Sequence, residues 1–577
     1  MRRFSILLLP VWLALGACGV IPFLVAPHTY PIPTFYSEWV AAACWIALGV
    51  AVLGATWGQV VCLPRAALAP LALIAVLILQ LAIAPPLNPF FSSGAIAALL
   101  AAAVICGLGA RCRDVPGVLD ALAVAVTLGG LLTVSIELVQ VFRVPNLPET
   151  FFSMTPTGSA RRMWGNLNQP NHVGTYLTFG LAACLFLGQR HRKWLGLMTV
   201  AVLALLLGMA LTFSRVTWIH IGVVGLLAGI PLAAEARGRA WPIRWLALCG
   251  PVLLLALAYQ SWGWLIALAN GAWALDLPGS MEQRMHEGVG LRPLLWKHAW
   301  HIFLAHPWLG GGWGDYAWNQ YVQTDTLGQV EMSMNAHNIV LDLLAKAGVA
   351  GLLAVLVPLA WLALDLRKRL RSPEVAFLSA MIAVMVVHSL LEYPLHYVFF
   401  LFPFAFILGL LDSKTLRFPS PPVAWGFSGV VVVLGALLLV RLWADYRVLE
   451  RLYFVSGARI ESTGHPGGPV LLTPYATLVT AMNASVTEQT ARSLVKLERQ
   501  AVQFYPASST IQRYALALAF EGKTEEAVIQ VRRLHNHYWT DFASQSALLG
   551  QACHRNVDVL RTFCLRLKAE ALLSNAD

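Results

Sequence analysis

Through residue 443 the chain alternates between long apolar runs and short polar turns. The runs are about 17–25 residues long, the length a helix needs to cross the hydrocarbon core of a bilayer. Thirteen can be placed, at about 5–25, 39–58, 66–84, 94–110, 117–140, 171–188, 194–213, 216–234, 245–268, 339–364, 374–391, 397–411 and 423–441. Several are short or share a proline or a polar residue, so twelve or fourteen spans also fit. Two polar stretches, 141–170 and 269–338, are too long to be turns. Beyond the last run the pattern becomes that of soluble helices. The predicted fold is all-α: a polytopic helical membrane domain over 1–443, then a soluble helical domain over 444–577.

Composition agrees. Of 577 residues, 58% are hydrophobic and 12% charged, more apolar surface than a soluble domain of this size can bury. A net charge of +11 would point to nucleic acid in a soluble protein. In a membrane protein it reflects Lys and Arg gathered in cytoplasmic loops, so no nucleic-acid partner is expected. Counted from a cytoplasmic N-terminus, alternate loops carry Arg2 and Arg3, Arg65, Arg111 and Arg113, Arg190, Arg192 and Lys193, Arg237, Arg239 and Arg244, Arg367 to Arg371, and Lys414 and Arg417. The opposite set includes two loops, 26–38 and 84–93, with no Lys or Arg. The N-terminus is therefore expected inside, and an odd number of spans puts 444–577 outside. Met1-Arg2-Arg3 ahead of an apolar run reads as a retained first helix, because no small-residue cleavage site stands out. Seven of the nine cysteines lie in or beside apolar runs and read as small buried hydrophobes. Cys553 and Cys564 lie in the tail, where export would permit a disulfide that sequence alone cannot pair.

Basic residues on the outer side need another reason. They cluster in three places: Arg143, Arg161 and Arg162; Arg215 in the tight turn 213–216; and Arg284, Arg292 and Lys297. Each could snorkel or pair with Glu149, Asp276, Glu282 or Glu287. Arginine is also suited to phosphate, since its planar fork supplies charge and paired hydrogen bonds together. The segment Asn166-Leu167-Asn168-Gln169-Pro170-Asn171-His172 puts three asparagines, a glutamine and a histidine at the mouth of one span. Asn171 after Pro170 could cap the helix that follows. Capping explains one amide, and a sugar or diphosphate contact is the preferred reading for Asn168, Gln169, Asn171 and His172. A second short outer turn carries Glu392 and Tyr393, with Glu392 a partner for a histidine or an arginine.

The longest loop, 269–338, contains an amphipathic helix from Pro293, with Leu295, Trp296, Ala299, Trp300, Phe303 and Leu304 at spacings of three and four. Its tryptophans suit the headgroup layer. His298 and His301 lack the further ligands of a zinc motif, and the glycines at 310–314 lack the Lys-Ser/Thr of a P-loop. Neither metal nor nucleotide is expected. The loop ends at His337, which the spacing places at a helix start on the outer face. Imidazole there can take a proton from a hydroxyl near neutral pH, or the helix start can hold phosphate.

Three motifs together resemble the O-antigen ligase and polymerase superfamily of bacterial envelope glycan transferases. They are Arg292-Pro293-Leu294-Leu295-Trp296, His306-Pro307-Trp308-Leu309-Gly310-Gly311-Gly312, and His337-Asn338-Ile339-Val340-Leu341-Asp342-Leu343-Leu344-Ala345-Lys346-Ala347-Gly348. Lys346-Ala347 departs from the acidic residue usual before that last glycine. Asn166 to His172 and Glu392-Tyr393-Pro394-Leu395 look most like the protein O-oligosaccharyltransferases, the pilin-glycosylating branch. That resemblance implies a bacterial inner-membrane enzyme, with a periplasmic loop and tail, that moves a preassembled glycan from undecaprenyl diphosphate to Ser or Thr of an exported protein. It implies His337, Gln169 and Tyr393 as functional residues. Arg161, Arg162, Arg215 and Arg292 would bind the diphosphate with neither metal nor cofactor. The tail, through Ala501…Tyr505-Pro506 and Tyr514-Ala515…Leu518…Gly522…Glu526-Ala527, resembles a tetratricopeptide helix pair, a peptide-binding surface. An O-antigen ligase or polymerase with a glycolipid acceptor, and a transporter of lipid-linked glycan, are the competing readings.

Overall fold

The computed structural model describes residues 8–56, 62–158, 160–279, 290–417, 421–455 and 468–573. Arg2, Arg3, Glu282, Arg284 and Glu287 lie outside the described residues. Nine apolar helices come first: α1 (Leu9–Val20), α2 (Phe35–Ala55), α3 (Leu68–Ile83), α4 (Pro89–Cys112), α5 (Val118–Val141), α6 (Pro170–Arg190), α7 (Leu195–Leu211), α8 (Val216–Glu235) and α9 (Trp241–Trp273). Two loop helices follow, α10 (Arg292–Ala305) and α11 (Tyr316–Leu327). Then come α12 (Ile339–Leu366), α13 (Pro373–Ser389), α14 (Val398–Leu411) and α15 (Pro421–Phe454). Each predicted span is thus a helix, and nine of the described helices are long and apolar enough to cross a bilayer. The least apolar of the rest is α6. It packs against α5, α7, α8 and α13 and is buried along nearly its whole length, so its Thr and Gly residues face protein, not lipid. On α9, by contrast, Leu253, Leu254 and Leu257 are exposed, as a lipid-facing helix requires.

Packing divides the chain into two compact units. The first comprises Met1–Leu71, Ala98–Gly288 and Val355–Leu439. At one end of it the arginine-bearing loops meet. Strand β1 (Cys62–Pro64) pairs antiparallel with β2 (Thr415–Arg417), Arg65 bonds Asp365, and Arg190 reaches Asp120 at 3.0 Å and Glu374 at 2.6 Å. Arg113 donates to the carbonyls of Gly409 and Leu410. Contacts from the opposite set of loops join each other instead: Arg143 to Asp276 at 2.7 Å, and the Val398 amide to Glu38 at 2.7 Å. Among the described residues these contacts join loops of one predicted set to loops of the same set.

The second unit comprises Ala72–Ala97, Val289–Ala354 and Val440–Asp577. Its tail helices are α16 (Thr473–Asn483), α17 (Glu488–Phe504), α18 (Ser508–Phe520), α19 (Thr524–His537), α20 (Phe542–Arg555) and α21 (Arg561–Ala569). Neighbours along the chain pack on one another around Val502, Ile511, Leu518, Val531 and Phe563. A Cys553–Cys564 disulfide joins α20 to α21. Helix α11 is part of this core, since Tyr321 is buried among the same residues. Compactness follows contact, not chain order: the long loop folds with the tail.

One predicted face shifts. On α10 the buried stripe is Leu295, His298, Ala299 and Ile302, while Trp300 and Leu304 are exposed. Ala299 and Ile302 pack on Tyr316, Ala336 and Ala345, which draws the helix's inner face toward His298.

Candidate functional site

In the first unit the polar segments at the mouths of α6, α8 and α14 converge on Asn171. Its Oδ1 accepts from Arg162 Nη2 at 3.3 Å and Ser214 Oγ at 2.6 Å, and its Nδ2 donates to Glu392 Oε1 at 3.2 Å. Arg162 also donates through Nε to the Thr212 carbonyl at 2.9 Å. Arg215 is the N-cap residue of α8 and directly follows Ser214. The turn that brings it there forces Phe213 to φ +47, a left-handed conformation costly for a residue with a Cβ. Tyr393 follows Glu392, its ring 5.8 Å from Tyr397. The His172 ring is buried beneath, 5.1 Å from Tyr397 and 5.5 Å from His388, whose Nδ1 bonds Thr175 Oγ1 at 2.8 Å.

The amides divide by role. Gln169, not Asn171, is the N-cap of α6: its Oε1 accepts from the His172 amide at 2.6 Å, with Pro170 in the first turn. That leaves Asn171 for the polar cluster. Asn166 braces the loop, bonding Leu24, Phe151 and the Ser153 amide. Asn168 has φ +52, and its buried Oδ1 has no hydrogen-bond partner among the described residues. Arg161 is buried, and its guanidinium donates to the carbonyls of Gln140, Val141 and Leu275. Burial first, then the like charge of Arg143, pushes its pKa down, against Asp276. Arg161 ties the loop to the end of α5; Arg162 reaches Asn171.

In the second unit His337 is half-buried with φ +52, in the turn before α12. Asn338 caps that helix, its Oδ1 accepting from the amides of Val340 at 3.0 Å and Leu341 at 3.1 Å. Asp342 accepts from the Ala336 amide at 2.8 Å and pairs with Lys346 at 3.0 Å, and Lys346 bonds Asn335. Asp342 and Lys346 are both buried, so the pair pins the two residues before His337. An acid and a lysine four apart in an apolar span were the sequence signal for this brace.

The glycine motifs explain each other. Within α12, Gly348 takes φ +66, ψ −165, and the helix breaks. The turn 307–312 satisfies the broken backbone: Gly311 donates to the Ala345 carbonyl at 2.8 Å, and Val349 to that of Pro307 at 2.9 Å. A Cβ on Gly310 would lie 2.3 Å from the Lys346 carbonyl carbon. Gln80 joins the knot, accepting from the Trp313 amide and donating to the Lys346 carbonyl. Arg292 is half-buried at the first position of α10. His298 is buried there, and burial, with the charges of Lys297 and His301, pushes its pKa down to about 4. Among the described residues no three His, Cys, Asp or Glu side chains converge as a metal-holding group.

Comparison with known proteins bears on both units. Residues 200–356, which include His337, match the family described as O-Antigen ligase. Residues 376–551, from α13 into α20, match that described as Virulence factor membrane-bound polymerase, C-terminal. The chain is 26% identical to the General O-oligosaccharyltransferase of Acinetobacter baylyi over 410 residues, 67% of this chain and 68% of that one. It is 24% identical to the ComP-specific O-oligosaccharyltransferase of the same organism over 282 residues, about half of either chain (47%). One activity is common to the names of both relatives, and the O-Antigen ligase match spans the region that holds the histidine loop; the chain is a membrane glycosyltransferase similar to the O-oligosaccharyltransferases, which move glycans onto proteins.

Proposed function

We propose that the protein transfers a preassembled glycan en bloc from undecaprenyl diphosphate to a Ser or Thr of an exported, pilin-like protein, at the periplasmic face of a bacterial inner membrane. The N-terminus is cytoplasmic. The tail is periplasmic, which its disulfide supports, because such bonds persist in oxidising compartments. The acceptor oxygen bonds the anomeric carbon as the bond from that carbon to the diphosphate oxygen breaks. The hydroxyl proton passes to His337, and the diphosphate leaves with the electron pair. In the unit of His337, Arg292 stabilises the leaving charge, the task a divalent metal performs elsewhere, and in the first unit Arg162 and Arg215 bind phosphate. Asn168, Asn171, Glu392 and Tyr393 position the sugar, with Gln169 and His172 fixing the helix beneath, and the tetratricopeptide-like tail receives the acceptor.

One observation carries the role of His337. Asn338 already occupies two of the free amides of the α12 start, and the Asp342 carboxylate lies in its first turn. That supports a proton-accepting imidazole over a helix-start phosphate site. Purified protein with undecaprenyl-diphosphate-linked oligosaccharide and a pilin-like acceptor should yield glycosylated acceptor, and His337→Ala should slow it by about 10²–10⁴-fold. Transfer to a glycolipid with no modified protein would establish the ligase reading instead. Full activity in His337→Ala would remove the catalytic assignment.

A further inference from the structure

Tail and histidine loop are joined by a chain of hydrogen bonds that starts from a buried one. On α11, Gln320 is fully buried, and its Oε1 meets two partners: the Ser333 amide at 3.0 Å and His537 Nε2, from the end of α19, at 3.0 Å. Ser333 Oγ then donates to the Asn335 carbonyl at 2.7 Å, two residues before His337. The same stretch is held from the tail at two more points, by the Val330 amide on the Asn536 carbonyl at 3.0 Å and by Thr540 Oγ1 on Glu331 at 2.9 Å. From the other side, Lys346 and Asp342 hold Asn335 and Ala336. The segment 330–336 is therefore gripped between tail and membrane helix, and His337 is the next residue. Alongside, Tyr321 donates to Gln530 at 2.7 Å and Arg533 forks onto Asp325, fixing α11 on α19.

We propose that Gln320, seated on His537 of the tail, is a positioning residue for His337, so that the tail completes the catalytic loop as well as offering a surface to the acceptor. This rests on the reading of His337 as the proton acceptor. A general base must lie within hydrogen-bond reach of its proton, and a misplacement of about 1 Å can cost about 100-fold in rate. Among the described residues Gln320 Nε2 has no hydrogen-bond partner, and the link runs through Oε1.

The test uses the full-length chain with undecaprenyl-diphosphate-linked oligosaccharide isolated from the host membrane and a pilin-like acceptor that the unaltered chain glycosylates. Gln320→Leu, which keeps the volume and removes the acceptor oxygen, should lower kcat by about 10–100-fold with the donor KM within about threefold. Gln320→Glu, which keeps that oxygen, should recover most of kcat. Arg532→Ala, which lies on α19 as His537 does and breaks an exposed pair with Glu570 at the end of α21, should leave kcat unchanged. Unaltered kcat in Gln320→Leu would overturn the inference. So would a loss that matches the loss of folded protein by size exclusion and that Gln320→Glu does not rescue. His337→Ala run beside them separates the two ideas: its full activity would overturn the reading of His337 and this inference with it. An inactive His337→Ala with a normal Gln320→Leu would overturn the inference alone.

Discussion

Arg161 and Arg162 are adjacent, alike, and indistinguishable in sequence. Only their partners tell them apart. Three backbone carbonyls accept from the Arg161 guanidinium, so Arg161→Ala removes those bonds at about 1–3 kcal/mol for a buried acceptor left unsatisfied. It should lose most of its folded protein in detergent. Arg162→Ala removes a carbonyl contact and a bond to Asn171, and should stay folded while kcat/KM falls by about 10–100-fold. Thermal melting and transfer rate, measured on both variants, check this; a stable but inactive Arg161→Ala would reverse the assignment. The amides show the same boundary of legibility. That several polar residues cluster at the mouth of α6 was readable from composition, but which one caps the helix was not. Gln169 takes the cap because its side chain reaches the His172 amide, and Asn171 is thereby left to the cluster.

At the scale of elements, hydropathy placed every span, and it read α12 as one helix from 339 to 364. The structure breaks that helix at Gly348, because the turn after Pro307 enters the gap and supplies the missing hydrogen bonds. Periodicity cannot show such a break, since the apolar pattern continues across it. The glycines on both partners were the trace it left. Gly348→Ala would put a Cβ 2.3 Å from the Trp308 carbonyl oxygen at a backbone conformation that glycine alone adopts readily. A loss of about 3 kcal/mol or more is expected, read as a melting point lowered by about 5 °C or more and little folded protein in the membrane. Gly222→Ala, in α8 with open space around it, should melt as the unaltered chain does. Equal melting of the two variants would show that the turn and the helix do not depend on this approach.

At the scale of the whole molecule, the sequence carried topology further than assembly. Alternation of basic loops is a one-dimensional signal, and contacts among the described residues join loops of one set, as in Arg65 with Asp365 or Arg143 with Asp276. The shared core of α11 and the tail could not be read that way. It is made by Tyr321 meeting residues such as Val502 and Ile511, far along the chain, and neither segment's pattern names the other. The topology makes a prediction independent of chemistry. If the tail is periplasmic, a membrane-impermeant maleimide applied to intact cells should label Cys553 and Cys564 only after an impermeant reductant opens their disulfide. A cysteine placed by Ser413→Cys, in the exposed connection between α14 and α15, should react only once the inner membrane is permeabilised. Labelling of Ser413→Cys in intact cells, with tail cysteines protected, would invert the orientation. His337 and the outer arginines would then face the cytoplasm, and transfer to an exported acceptor would fall with them.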